Sequence, residues 1–285
     1  MTPRHGIPPI WRSLGRLLAI PLLATPLGAQ SAAPSAAPSV DPVPVHETFT
    51  IASRALGETR PVNVHVPAAY DASSAARFPV LYMPDGGLDE DFPHVVHTVD
   101  SLIALGAIRP VIVVGIPNTE RRRDLTGPTH IAADSAIAPR VGGSAAFRRF
   151  LREELIPAVR ARYRTTGERA IVGESLAGLF IVETFLTEPA LFDHYVALDP
   201  SLWWNGGSLV DSASANAAAL DTAPRTLYLA SSNVPEITAG TARLAELLRT
   251  AAPKGLALVY VPRPDLTHAT IFRGVGPAAL ASALR

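Results

Sequence analysis

The sequence predicts an α/β protein built on a mostly parallel sheet with helices on both faces. Three observations carry that expectation. Short apolar, strand-like runs alternate with helix-like segments from residue 79 onward, the order of a layered α/β domain. Val111–Ile116 (VIVVGI) is apolar throughout, as expected of a strand buried on both faces. Ser144–Tyr163 carries Phe147, Phe150, Leu151, Leu155 and Val159 at three- and four-residue spacing with Arg and Glu between them, the pattern of an amphipathic helix.

In chain order, Thr48–Ser53 and Val62–Pro67 read as two strands, the second with Val62, Val64 and Val66 on one face. No helix separates them, so this edge is expected to be antiparallel. Pro79–Met83 is the next strand, stopped by the turn residues Pro84-Asp85-Gly86-Gly87. Val95–Leu105 follows as a helix, then the strand at Val111 and the helix at Ser144. Ala170–Gly173, Tyr195–Leu198, Thr226–Ala230 and Leu256–Val261 are further strands. Ala177–Leu186, Ala242–Leu248 and Pro277–Leu284 are helices.

The ends and the composition narrow the class. Arg4, Arg12 and Arg16 precede the apolar run Leu17–Ala29, which is shorter than the ~20 residues needed to span a bilayer and is broken by Pro21 and Pro26. Residues 1–29 therefore read as a signal peptide cleaved after Ala29, with an uncleaved anchor as the alternative. The mature protein is expected to be exported, periplasmic or extracellular, with no stable membrane span. Residues 30–45, rich in Ala, Pro and Ser, read as a linker, and residues 46–285 as one domain. Basic and acidic residues balance at 25 each, which argues against nucleic acid as a partner. There is no cysteine, which excludes a thiol nucleophile, a thiolate metal site, disulfides and a lipid-anchor cysteine. No metal or cofactor motif is present: neither HExxH, nor a phosphate-binding loop, nor a dinucleotide fingerprint.

The chemistry-bearing motif is Gly173-Glu174-Ser175-Leu176-Ala177-Gly178, placed after a strand and opening a helix. A serine there sits on a sharp turn that lifts its hydroxyl above the sheet, and small neighbours allow the close backbone approach. Ser175 is the expected nucleophile, with a helix N-cap as the bland reading. His268, in the loop between the last strand and the last helix, is the expected base. The acid should lie between them in the chain. Glu236, a short loop after the strand at Thr226, is the expected residue; Asp199 at the end of the preceding strand and Asp265 are the alternatives, as is a Ser–His pair with no acid. The backbone N–H groups of Leu176 and of Gly87 in the Gly86-Gly87-Leu88 turn are expected to form an oxyanion hole. Trp203-Trp204 follows a strand end and reads as an aromatic wall of the substrate site or as core. Arg121-Arg122-Arg123-Asp124 follows another; Arg123 is the candidate contact for an anionic group, a locally paired loop being the alternative.

Taken together, FPVLYMPDG (78–86), VIVVGIPNTERRRDLT (111–126), FRRFLREELIPAVRARYR (147–164), IVGESLAGLF (171–180) and DPSLWW (199–204) resemble the Putative esterase family of α/β hydrolases. That family includes ferric enterobactin and salmochelin esterases, S-formylglutathione hydrolases, feruloyl esterases and mycolyltransferases. The resemblance spans about residues 47–285 and is strongest to the siderophore-esterase branch. It implies an α/β-hydrolase fold and a serine esterase acting on a small-molecule ester, siderophore-type or other, without a cofactor. An acyltransferase or a non-catalytic binding module on the same scaffold are the competing readings. Three departures stand out: Glu174 where many members have histidine, Asp199 where many have serine, and a looser Ser231–Glu236 segment.

Overall fold

The computed structural model describes residues 41–218, 220 and 222–285. The expected signal peptide, and the linker up to residue 40, lie outside the described residues. Eight strands form one sheet: β1 (Glu47–Ser53), β2 (Glu58–His65), β3 (Phe78–Pro84), β4 (Ile112–Ile116), β5 (Thr165–Glu174), β6 (His194–Leu198), β7 (Arg225–Ser231) and β8 (Leu256–Pro262). Their order across the sheet is β1-β2-β4-β3-β5-β6-β7-β8. β1 pairs antiparallel with β2, and β2 with β4; every pairing from β4 through β3 to β8 is parallel. The helixless link between β1 and β2 is thus an antiparallel edge, as its sequence predicts.

Alternation along each strand divides the core into two layers. Tyr82, Ile112, Val114, Ile171 and Ala197 face one side, under Phe147 and Phe150 of α3 (Ser144–Phe150) and Phe180 of α5 (Leu176–Thr187). Leu81, Met83, Val113, Val172 and Val196 face the other. There they meet Val95, Val96 and Val99 of α1 (Phe92–Ala104) and Ile271, Val275 and Ala279 of α7 (Ile271–Ala283). α5 is buried along almost its whole length, which is why it shows no amphipathic stripe.

The helix expected over Ser144–Tyr163 is continuous but not uniform. After α3 the segment Leu151–Leu155 widens into π geometry before α4 (Ile156–Arg162). Pro157 has no N–H to give to the turn before it and its ring crowds that turn; a widened segment relieves both. α6 (Pro235–Ala251) starts seven residues earlier than its apolar pattern suggests, because Pro235 suits a first helical position and the first turn needs no apolar face.

Two features differ from the sequence expectation. The last residues of the expected linker are bound to the domain. Asp41 pairs with Arg273, His97 Nε2 lies 2.8 Å from Pro42 O, and His65 Nδ1 lies 2.8 Å from Val45 O. The Arg121–Asp124 stretch is helical rather than a loop, forming α2 (Arg121–Leu125); Arg123 does pair locally with Asp124, and a buried network anchors the helix. Arg60, fully buried, donates to Asp124 Oδ2 at 2.5 Å and to Pro117 O at 2.8 Å. Both partners are charged and desolvated, so each depends on the other to offset the cost of leaving water.

Candidate active site

Ser175 stands between β5 and α5 at φ 62° and ψ −119°, a conformation that non-glycine residues adopt only when the surroundings enforce it. The enforcement is visible. A Cβ on Gly173 would come within 2.6 Å of the Ala177 Cβ, and one on Gly178 within 3.0 Å of Leu198 O and Pro200 Cα. With alanine at 177, residue 173 has to be glycine. The Ser175 N–H donates to Leu198 O at 3.0 Å, tying the elbow to the end of β6.

His268 comes from the loop between β8 and α7. Its Nε2 lies 3.2 Å from Ser175 Oγ, and its Nδ1 lies 2.6 Å from Asp199 Oδ2. Nδ1–H therefore faces the carboxylate and leaves Nε2 to accept from the serine. Asp199 follows β6 at φ 47° and is fully buried. It accepts two more bonds, from Ser232 N at 2.6 Å and Ser232 Oγ at 2.7 Å. Burial pushes its carboxyl up, but the bonds from His268 and Ser232 outweigh that and hold it below the usual carboxylate range. The Asp199 bond, opposed by burial and helped by Glu174, raises His268 above an ordinary histidine.

The residue at His268 Nδ1 is thus Asp199, and the expectation of Glu236 is corrected. Glu236 is exposed in the first turn of α6, where the helix dipole favours an acid. At the end of β7, where the acid was sought, the chain instead carries Ser232, which clamps Asp199 from across the adjoining strand. Asp265, itself exposed, pairs with Arg263 rather than with His268.

The expected oxyanion donors fare differently. Leu176 opens α5, so its N–H belongs to the first helical turn, which has no acceptor within the helix. The Gly87 N–H, by contrast, donates to Glu90 Oε2 at 2.7 Å rather than standing open. This turn is held by a polar lattice that sequence inspection missed. Asn118 Nδ2 reaches both Asp85 Oδ1 and Glu90 Oε1 at 2.6 Å, and Arg121 forks onto the two Asp85 oxygens at 2.7 and 2.8 Å. Gly86 makes this close approach feasible, since a Cβ there would fall 2.1 Å from Ile116 N. A further omission is the buried Ser201, whose Oγ lies 3.4 Å from Ser175 Oγ.

The candidate substrate residues separate by burial. Trp203 is 41% exposed, whereas Trp204 is buried with its Nε1–H donated to Gly127 O at 2.8 Å. Only Trp203 remains available as a wall. With Glu236 and Arg243 it borders a cleft of about 310 Å³. Arg123 does not present a free charge: it bonds Glu58 at 2.8 Å, Asp124 at 2.6 Å and Glu120 at 3.3 Å. Its expected role in holding an anion is replaced by a structural one. It borders a cleft of about 560 Å³ together with Arg121, Arg122 and Arg140. Among the described residues, Glu174, Asp199 and His268 have the spacing of metal ligands, but Asp199 and His268 already hold each other.

A mixed, mostly parallel eight-stranded sheet with a serine elbow after β5 and a histidine after β8 defines an α/β-hydrolase fold. Residues 53–236 match the family described as Putative esterase, and the chain belongs to that family. Over 183 residues it is 29% identical to the "Ferri-bacillibactin esterase BesA" of Bacillus subtilis, covering 57% of this chain and 61% of that protein. Over 193 residues it is 31% identical to the "Siderophore triacetylfusarinine C esterase" of Aspergillus fumigatus, covering 62% and 63%. The chain thus spans less than two thirds of the length of these relatives. Among solved structures, an IroE-like serine hydrolase from Shewanella oneidensis superposes with a TM-score of 0.74 at 29% identity, over 84% of this chain and 78% of that one.

Proposed function

We propose that this protein is a serine hydrolase of carboxylic esters, with siderophore-type esters as its first candidate substrates. The observation that carries the reading is the unbroken line from Ser175 Oγ through His268 to the buried Asp199. In this reading His268 Nε2 takes the Ser175 proton as Oγ attacks the ester carbonyl. Asp199 holds the ring in the right tautomer and stabilises the imidazolium. The Leu176 N–H donates to the tetrahedral oxyanion. His268 returns the proton to the departing alkoxide, and water then releases the acyl group by the same steps in reverse. The names of the two relatives above support the siderophore-type assignment.

The test is a fluorophosphonate probe together with hydrolysis of p-nitrophenyl butyrate by the folded protein. Labelling that maps to the peptide containing Ser175, alongside ester turnover, is expected. A folded protein that is neither labelled nor active overturns the reading.

Export is part of the proposal. The charged start and short apolar run of residues 1–29 support it, and among the described residues no helix is long and apolar enough to cross a membrane. Mass spectrometry of the secreted fraction should find a mature chain beginning at Gln30; a full-length chain retained in the cell is the contrary result.

A further inference from the structure

One carboxylate beside the nucleophile has no part in the chemistry above. Glu174 ends β5, directly before Ser175. Its Oε1 lies 3.7 Å from His268 Nδ1, the nitrogen that Asp199 holds at 2.6 Å. Its side chain is 18% exposed and makes no hydrogen bond to another described residue. Charges on several elements act on it: Asp85 and Asp91 from the turn after β3 and the start of α1, Asp199 from the turn after β6, and His268 from the loop after β8. Arg121 of α2 pairs with Asp85 and acts on both His268 and Asp91, while Glu90 and Arg273 of α7 act through Asp91.

We propose that Glu174 is a positioning residue for His268, a second carboxylate that reinforces the imidazolium during the reaction when ionised and gives nothing when protonated. This rests on the serine-hydrolase reading. The geometry supplies the mechanism: as the Ser175 proton moves to Nε2, the ring becomes cationic within 4 Å of a carboxylate that has no hydrogen-bond partner among the described residues. The reinforcement is conditional because burial, with Asp91, Asp199 and Asp85 adding to it and His268 opposing, pushes the Glu174 carboxyl up to about 7. Glu174 and His268 act on each other's titration.

The signs follow from that pair. Ionised Glu174 favours the imidazolium, so it raises the pH at which His268 becomes a free base and also speeds the step that forms the cation. Below Glu174's titration both effects vanish. Glu174→Gln keeps the shape and removes the charge. It should therefore match or exceed the wild type along its acidic limb, which moves to lower pH, and fall behind in alkali.

The experiment is the second-order rate of Ser175 phosphonylation by a fluorophosphonate between pH 5.5 and 9. Wild type, Glu174→Gln and Glu174→Asp are compared, with thermal unfolding confirming that each is folded. The expected result is a wild-type to Gln rate ratio at or below 1 up to neutrality. The ratio then rises to about 5- to 10-fold at pH 8.5, the effect of one charge at this distance in a partly exposed site, and Glu174→Asp recovers part of it. A ratio constant with pH means Glu174 only packs, and equal rates at all pH mean it is idle; either overturns the proposal while leaving the serine-hydrolase reading intact. A folded wild type that takes no label at any pH overturns both.

Discussion

Asp199→Asn is expected to lower ester turnover about 10⁴-fold, while Glu236→Gln changes it less than about twofold. The first figure is the loss known for an acid-to-amide change at a serine–histidine pair, close to 5 kcal/mol of transition-state stabilisation. The argument for Asp199 is local. Its two oxygens accept from His268 Nδ1–H and from both the N–H and the Oγ–H of Ser232. An asparagine has to present an NH₂ group to one of these donors. If it faces His268, the ring turns to the tautomer with the proton on Nε2, and the base can no longer accept from Ser175. If it faces Ser232, a buried donor pair clashes and an unmatched group is left in the core, so part of the loss appears as instability. Denaturant unfolding alongside kinetics separates the two contributions. Glu236 carries neither risk, being exposed in the first turn of α6, where loss of its charge removes a helix-dipole contact of about 0.5 kcal/mol. Comparable losses for the two variants, or a larger one for Glu236→Gln, would overturn the Asp199 assignment.

Ser175→Ala carries the largest expected effect, a fall in kcat on the order of 10⁶-fold, as when a nucleophile acting in concert with its base is deleted. The exchange is clean because it removes Oγ and keeps Cβ. The positive φ of 62° and its supports at Gly173 and Gly178 are unchanged. What Ser175→Ala leaves behind is the Leu176 N–H and the binding surface, which explains why a residual rate over water is expected rather than zero. The neighbouring hydroxyl of Ser201, 3.4 Å away, gives a control. Should Ser175→Ala retain activity within tenfold of the wild type and Ser175→Ala/Ser201→Ala lose it, the nucleophile would be Ser201 and the elbow would serve another end.

The acid at the histidine illustrates where sequence reasoning stops. Both Glu236 and Asp199 lie between Ser175 and His268 in the chain and both follow a strand, so order and topology do not separate them. Distance does, and it is a relation between segments 69 residues apart. Asp199 adopts φ 47°, a region that Asp tolerates better than most residues, and in this conformation its carboxylate meets His268 and Ser232. Arg123 tells the same story. Its closest acid in sequence, Asp124, is indeed a partner, but Glu58, 65 residues away, also binds the guanidinium, which leaves it no free charge for an anion. The Gly87 N–H, expected to face an oxyanion, is instead taken by Glu90 three residues on.

By itself the sequence determined whatever depends on periodicity and on short-range sterics. The alternation of strands and helices, the antiparallel first hairpin and the serine elbow all follow from side chains within a few residues of one another. Those include Val62 with Val64 and Gly173 with Ala177. The tertiary structure alone decided which charges meet. Asp199 rather than Glu236 at His268, Glu58 at Arg123, and Glu174 beside the imidazole are fixed by how strand ends converge at one edge of the sheet. A charge's energy depends on distance and burial, and neither is encoded in its position along the chain.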